Sequence, residues 1–172
     1  MRLYLINPCN PLVSMVKVKE SRWNRYRVWK PLSLMVLAGL TPSEWDVSIV
    51  DENLGVADYP AMPRPDLVGI TAFTSQANRA YEVATYYRRL GVPVVMGGSH
   101  ATMCLDEVLE RVDSVVTGEA EGIWATVLAD ARRGQLEGHA PEQPQDDATA
   151  ALRTPHRYEA RLAVVGEVEL VE

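Results

Sequence analysis

The chain has 172 residues, of which 47% are hydrophobic and 23% charged, with a formal net charge of −6, as expected for a globular domain with an appendage. No apolar run approaches the ~20 residues needed to cross a bilayer, and the amino terminus lacks a secretory signal, so we expect a cytoplasmic protein without membrane contact. Cys9 and Cys104 form no CxxC or CxxxC spacing, which argues against a zinc or iron–sulfur cluster held by cysteines within this chain.

Short apolar segments alternate with segments of helical period over residues 1–134. The predicted strands are residues 3–6, 47–50, 67–70, 92–96 and 114–116, all with the near-continuous apolar character of strands that are buried on both faces. Predicted helical stripes are Leu32, Met35, Val36 and Leu40; Ala77, Ala80, Tyr81, Ala84 and Tyr87; Leu105, Val108, Leu109 and Val112; and Ile123, Trp124, Val127, Leu128 and Ala131. This alternation predicts an α/β fold, a Rossmann-like (flavodoxin-like), doubly wound, five-stranded parallel sheet in three α/β/α layers.

Two connections interrupt this alternation. Residues 51–66 contain one glycine, three prolines and no helical stripe, and we predict an irregular crossover there. Residues 17–30 combine six lysines and arginines with Trp23, Tyr26 and Trp29, a pattern that fits nucleic-acid contact, a loop that packs its aromatic rings, or a docking surface for another domain. Because the rest of the chain is acidic and would repel phosphates, we do not expect a nucleic-acid partner.

The composition changes after Gly134. Residues 138–151 are rich in Pro, Gln, Asp and Ala, the composition of a linker, and residues 163–171 contain short apolar runs. We therefore predict a binding domain over residues 1–134, a linker over 135–151, and a tail over 152–172 with a short strand or hairpin.

The segments that follow the predicted strands hold the candidate site residues, because ligands of open parallel sheets bind at the carboxyl ends of the strands. Glycines allow a ligand to approach the backbone, and hydroxyl groups and free N–H groups can bind phosphate. Each segment alone also fits a turn or a helix cap, but several at one sheet edge favour a ligand. The candidates are Asn7, Pro8, Thr71, Ala72, Phe73, Thr74, Ser75, Gly97, Gly98, Ser99, His100, Thr117, Gly118 and Glu119.

Three common nucleotide or phosphate sites lack support. The segment after the first strand contains no glycine, so the G-x-G-x-x-G signature of dinucleotide binding is missing. The chain also has no G-x-x-x-x-G-K phosphate loop, and no acidic cluster follows the first strand as in phosphoacceptor domains. A flavodoxin-like domain that binds another nucleotide remains an alternative.

Three runs resemble the cobalamin-binding domain that precedes the catalytic domain of radical S-adenosylmethionine enzymes. They are DLVGITAFT at residues 66–74, VVMGGSHAT at 94–102 and DSVVTGEAE at 113–121, supported by Leu5 to Pro8 and the pair Val50 and Asp51. The resemblance covers residues 1–134 and is most specific in the Gly-Gly-x-His-Ala-Thr and Gly-Glu-x-Glu segments.

This resemblance implies a cobalamin whose nucleotide tail enters the cleft between sheet and helices, with the corrin across the strand ends. Thr71, Thr74 and Ser75 would line the tail, Gly97 to Ser99 would let it pass, and Gly118 and Glu119 would border the cleft. Related carrier domains ligate cobalt with the histidine of an Asp-x-His-x-x-Gly motif, but residues 7–12 contain no histidine and Asn53 occupies that place in the similar segment 51–55. The resemblance therefore implies base-off binding without histidine ligation, and His100 is left as a tail contact, a capping residue or an axial ligand.

The sequence contains no C-x-x-x-C-x-x-C motif, so we assign it no catalytic residue, no metal ligand and no iron–sulfur cluster. The chain would then be a fragment of a larger enzyme, a domain that serves a separate radical S-adenosylmethionine protein such as a methyltransferase, or a relic. The alternative is a non-enzymatic corrinoid carrier or sensor that acts through a protein partner.

Overall fold

A computed structural model describes residues 1–12, 30–55, 57–136, 138–140 and 161–162. Most of the basic aromatic segment, most of the predicted linker and nearly all of the predicted tail lie outside these residues. No helix within the described ranges is long and apolar enough to cross a membrane.

All strands of the sheet are parallel, in the order β6-β5-β4-β3-β1-β2-β7. The five central strands are β1 Arg2–Asn7, β2 Asp46–Asp51, β3 Leu67–Thr71, β4 Val94–Gly97 and β5 Ser114–Val116. Each contains or overlaps a strand expected from the apolar runs, which confirms the predicted α/β fold. The order 2-1-3-4-5 is that of flavodoxin-like folds and places the switch point between β1 and β3.

Two-residue strands extend the sheet at both edges. They are β6 His139–Ala140, beside β5, and β7 Arg161–Leu162, beside β2. The first lies in the predicted linker and the second in the predicted tail, so both segments contribute backbone to the sheet. The domain boundaries themselves stay a prediction.

Helices cover the sheet on both faces, as expected for a doubly wound fold. The helices are α1 Leu32–Leu40, α2 Ala77–Arg89, α3 Ser99–Met103, α4 Leu105–Leu109 and α5 Trp124–Arg133. Helices α1 and α5 pack over Leu3, Leu5 and Val95, whereas α2, α3 and α4 pack over the opposite face. Helix α5 ends at Gly134, whose φ of 65° is the left-handed conformation expected of a glycine C-cap.

The predicted stripe of α1 is wrong. The structure buries Leu34 and Ala38, while Leu32 and Met35 are exposed. Pro31 precedes the helix as its N-cap. Nearly every residue of this helix is apolar, so the sequence contains no polar face that would define the buried one.

The connection between β2 and β3 is irregular, as predicted, apart from a 3₁₀ turn over Tyr59–Ala61. Tyr59 is buried and contacts the rings of Tyr86 and Tyr87, with centroids 5.9 and 5.4 Å away. The crossover is therefore held to α2 by aromatic packing, without a helix of its own.

Candidate functional site

A cavity of about 650 Å³ opens at the carboxyl edge of the sheet, between the sheet and helices α1 and α5. Its size is within the range of cofactor sites. The ends of β1, β3, β4 and β5 contribute to its wall, so it lies beside the switch point where the fold places a ligand.

Two glycines of the sheet, Gly69 and Gly97, lie in the floor of this cavity. A Cβ atom at Gly69 would lie 2.9 Å from Leu5 Cδ2 and 3.8 Å from the ring of Trp124. A Cβ atom at Gly97 would lie 3.5 Å from the carbonyl oxygen of Val116, an ordinary contact. The fold therefore tolerates a side chain at Gly97, and the space above this residue is available to a ligand.

Gly98 is glycine for a different reason. Its φ is 93° and its ψ 179°, a conformation that is essentially restricted to glycine. A Cβ atom there would lie 2.8 Å from Thr71 Oγ1 and 3.0 Å from both the nitrogen and the oxygen of Ala72. The approach of a ligand is the predicted reason for both glycines, but the neighbouring backbone already requires a glycine at position 98.

The structure brings most of the predicted site residues together. The cavity is lined by Asn7, Thr71, Ala72, Phe73, Gly97, Gly98, Ser99, Gly118 and Glu119. It is not lined by Pro8, Thr74, Ser75, His100 or Thr117. The lining residues from the ends of β1, β3, β4 and β5 thus form one edge, although Pro8 and Thr117, which directly follow β1 and β5, do not line it.

The side chain of His100 lies on the other face of the sheet. It is 3% exposed, with Nε2 2.8 Å from the Tyr81 hydroxyl and Nδ1 3.3 Å from Thr74 Oγ1. Its backbone N–H donates to the carbonyl of Ala72, which ties α3 to the end of β3. Neither His100 nor Thr74 therefore presents its side chain to the cavity.

The remaining predicted residues have other positions. Pro8 is buried, and its carbonyl accepts a hydrogen bond from Gln76 Nε2. Ser75 is exposed and Thr117 is half-buried. Pro8 thus contributes to the site by fixing Gln76, a cavity residue, in place.

Several residues that line the cavity were not predicted from the sequence. They are Lys30 to Leu34, Leu37, Gly69, Gln76, Thr102, Met103, Ala120, Glu121 and Trp124, together with strand residues of the floor. Gly69 could have been found, because an isolated glycine inside a strand often marks a close approach. The helical residues could not, since their orientation depends on how α1 and α5 dock.

Trp124 joins the two helical walls of the cavity. Its Nε1–H donates to Thr41 Oγ1 at 2.8 Å, and the Thr41 hydroxyl donates to the carbonyl of Leu37 at 2.7 Å. Because this chain of hydrogen bonds connects the start of α5 to the end of α1, it fixes the separation of the two helices above the floor.

A buried polar network supports the segment after β1. Glu52 is 3% exposed and accepts hydrogen bonds from Arg79 at 2.7 and 2.9 Å, from the Tyr59 hydroxyl at 2.8 Å and from the Cys9 N–H at 3.0 Å. Burial alone would raise the pKa of Glu52, but the bonds from Arg79, Cys9 and Tyr59 outweigh it, so the pKa lies below its usual value.

Asn53 belongs to the same support. Its Oδ1 accepts from the Asn10 N–H at 2.7 Å, and its Nδ2 donates to the Pro8 carbonyl and to Asp51 Oδ1. Asn53 occupies the position of the histidine in the Asp-x-His-x-x-Gly motif. Its hydrogen bonds hold the segment after β1 in place, and it does not line the cavity.

The mouth of the cavity combines apolar and charged groups. Leu32, Phe73 and Met103 are 69%, 64% and 79% exposed, and Lys30, Glu119 and Glu121 also line it. Large exposed apolar side chains that are grouped at a cavity mouth mark a surface that another molecule covers. The arrangement suits a large ligand with an apolar body and polar substituents.

Comparison with known proteins shows related sequences. The chain matches the model of the B12 binding domain family over residues 23–128. The bacteriochlorophyllide d C-8(2)-methyltransferase of Chlorobaculum tepidum is 38% identical over 115 residues, 62% of this chain and 24% of that protein. The bacteriochlorophyllide d C-12(1)-methyltransferase of the same organism is 34% identical over 134 residues, 73% of this chain and 29% of that protein.

A third relative, the hopanoid C-2 methylase of Rhodopseudomonas palustris, is 29% identical over 76 residues, 44% of this chain and 14% of that protein. The chain spans between 14% and 29% of the length of these three relatives. Two further relatives, from Pyrococcus horikoshii and Synechocystis, are described as methyltransferases without an assigned substrate.

Proposed function

Because the chain belongs to the B12-binding domain family, we propose that it holds cobalamin in the cavity beside β3, β4 and β5, in the service of a methyltransferase. The family match confirms the resemblance inferred from the sequence. The observation that carries the proposal is the glycine floor. Gly69 and Gly97 both line the cavity. The space beside Gly69 is taken by the Leu5 side chain, whereas at Gly97 the missing side chain leaves space that a larger residue would fill.

The residues present fit the proposed cofactor. The apolar floor of Leu5, Val95 and Trp124 suits the flat base of the nucleotide tail, and the hydroxyls of Thr71 and Ser99 suit its polar backbone. Glu119, at the mouth, is placed to accept a hydrogen bond from a ribose hydroxyl or a corrin amide. When bound, cobalamin supplies the cobalt chemistry on which methyl transfer depends.

Binding is proposed to be base-off and without a histidine ligand. The described wall of the cavity contains no histidine, and His100 is bonded to Tyr81 and Thr74 on the other face. Asn53, which occupies the place of the ligand histidine in related carriers, is held by Asp51, Pro8 and Asn10. These contacts support a cobalt without a protein nitrogen below it.

The catalytic centre is proposed to lie outside this chain, in a radical S-adenosylmethionine domain or protein. The methyltransferase names of the relatives, and the small share of their length that the chain covers, support this division. The exposed apolar groups at the mouth, Leu32, Phe73 and Met103, are where such a partner would cover the cofactor.

The cobalamin proposal is tested by titrating the full chain with hydroxocobalamin and recording absorbance spectra. We expect a base-off spectrum, and after reduction to cobalt(II) an electron paramagnetic resonance signal without nitrogen splitting. Gly97→Val places a side chain above the floor and should weaken binding at least tenfold, about 1.4 kcal/mol. The matched control is Gly39→Val, because a Cβ atom at Gly39 meets nothing within 4 Å.

Equal affinity of the Gly97→Val variant and the unaltered chain would remove the cavity as the cobalamin site. Nitrogen splitting in the cobalt(II) signal would overturn the ligation proposal and leave the site intact. The partner proposal is tested separately, by adding a cluster-bearing radical S-adenosylmethionine protein. Methyl transfer should require both proteins. If the chain binds cobalamin but neither binds nor supports the added protein, a carrier or sensor is favoured.

A further inference from the structure

Three different metal-binding side chains lie together on the face of the sheet opposite the cavity. They are His100 in α3, Cys104 between α3 and α4, and Glu107 in α4. One ring nitrogen, the thiol sulfur and one carboxylate oxygen all lie within 4.8 Å of one another. The proposed cobalamin site uses none of these side chains.

We propose that His100, Cys104 and Glu107 form a Zn²⁺ site that is independent of the cobalamin cavity. Imidazole nitrogen, thiolate and carboxylate are the ligands that zinc prefers. Tetrahedral zinc with bonds of about 2.0–2.3 Å holds its ligand atoms about 3.6 Å apart, so a separation as wide as the 4.8 Å limit would have to close by about 1 Å. Glu107 is exposed and its side chain can rotate to do so.

The surroundings of His100 are those of a ligand histidine. The ring is buried, and each of its nitrogens has a fixed neighbour, Tyr81 Oη at 2.8 Å and Thr74 Oγ1 at 3.3 Å. The Tyr81 hydroxyl donates its proton to Glu107 at 2.8 Å, so Nε2 carries a proton before the ion binds. Zinc on Nε2 would take the position of the Tyr81 hydroxyl, which must move aside. The Nε2 proton then moves to Nδ1, and Nδ1–H donates to Thr74 as second-shell partners of zinc histidines do.

The proton balance of this step is defined. Four bonds to the ion form, at Nε2, at Sγ of Cys104, at a Glu107 oxygen and at a water molecule that completes the tetrahedron. The S–H bond breaks and its proton leaves to solvent, because the thiolate is the ligand. The imidazole only changes tautomer, so one proton is released for each ion bound.

The backbone at Cys104 connects the three proposed zinc ligands to helices α3 and α4. Cys104 has φ −126° and ψ 46°, which interrupts the helix between α3 and α4, and its N–H donates to the His100 carbonyl at 2.9 Å. An ion at this break would fix α3 to α4. The site would therefore stabilise the segment whose first residues, Gly98 and Ser99, border the cavity.

The test uses the full chain, stripped of metal and free of cobalamin. Zn²⁺ is titrated against a chromophoric chelator, and Co²⁺ replaces it as a spectroscopic probe. We expect one ion per chain, a thiolate-to-cobalt charge-transfer band, tetrahedral d–d bands and release of about one proton. Cys104→Ser should abolish the charge-transfer band, and Glu107→Gln should weaken binding at least tenfold.

The chain supplies matched controls for both variants. Cys9→Ser removes the other half-buried thiol, and Asp106→Asn removes the carboxylate beside Glu107, and neither should change the affinity or the spectrum. Circular dichroism confirms that each variant is folded. Unchanged zinc affinity in Cys104→Ser, loss of the band in Cys9→Ser, or no stoichiometric binding by the unaltered chain would each overturn the proposal.

Discussion

The two faces of the sheet differ in how completely side chains fill the space beside its carboxyl edge. On the face of α2, α3 and α4, tyrosine rings and the ion pair of Arg79 with the buried Glu52 fill the space. On the face of α1 and α5, a cavity of about 650 Å³ stays open, and the glycines at positions 69 and 97 line it. Protein interiors are normally close-packed and empty space lowers stability, so the open face is where a ligand would restore the missing contacts.

The largest expected effect on stability is a difference between Gly97 and Gly98, the two adjacent glycines at the end of β4. Gly98→Ala should lower the free energy of unfolding by about 4 kcal/mol, because it adds backbone strain to an overlap with Thr71 and Ala72. Gly97→Ala should cost less than about 1 kcal/mol, since its Cβ meets Val116 at ordinary distances. Urea unfolding of both variants measures the difference. Similar losses would mean that Gly98 is not a requirement of the fold.

The next effect concerns the filled face. Arg79→Met leaves the Glu52 carboxylate buried without its cation and should cost about 3 kcal/mol. The control is Arg88→Met, because the pair of Arg88 and Asp113 is 41% and 32% exposed and should contribute less than about 1 kcal/mol. Thermal unfolding of the two variants compares them, and equal shifts would show that burial of Glu52 adds nothing.

Acid should weaken the same network. The folded pKa of Glu52 is lower than the unfolded one, so in this range the unfolded state binds more protons and stability rises with pH. The contribution is complete above the unfolded pKa of about 4.3 and is lost as the pH falls toward the lower folded value. Glu52→Gln should flatten the slope of stability against pH in this window. An unchanged slope in urea titrations at several pH values would contradict the assignment.

The smallest effect tests the helices of the open face. Trp124→Phe removes the hydrogen bond to Thr41 and part of the cavity floor, and should cost about 1–2 kcal/mol. Because Trp124 also fixes the separation of α1 and α5, cobalamin affinity should fall as well. The control is Trp45→Phe, which alters a buried tryptophan of the same core that does not line the cavity. If both variants lost cobalamin equally, the effect would be one of general stability.

The sequence predicts the sheet well because strands buried on both faces have an unmistakable apolar pattern. Predicted residues from the segments after β3, β4 and β5, among them Ala72, Gly98 and Gly118, line one cavity, since parallel strands bring their carboxyl ends to one edge. The contribution of α1 could not be predicted, because a helix that is apolar on all sides does not reveal its buried face. The side-chain direction of His100 was equally hidden, as it depends on Tyr81 and Thr74 from other elements.

The placement of β1 between β2 and β3 has a consequence for assembly. This strand precedes both neighbours in the chain, and its second neighbour, β3, begins at Leu67. The Arg2 N–H donates to the Asp66 carboxylate and the Arg2 carbonyl accepts from the Asp66 N–H, so the start of β1 is held by a residue far along the chain. During synthesis, β1 can therefore complete its pairing on both sides only after more than sixty further residues of the chain have been made.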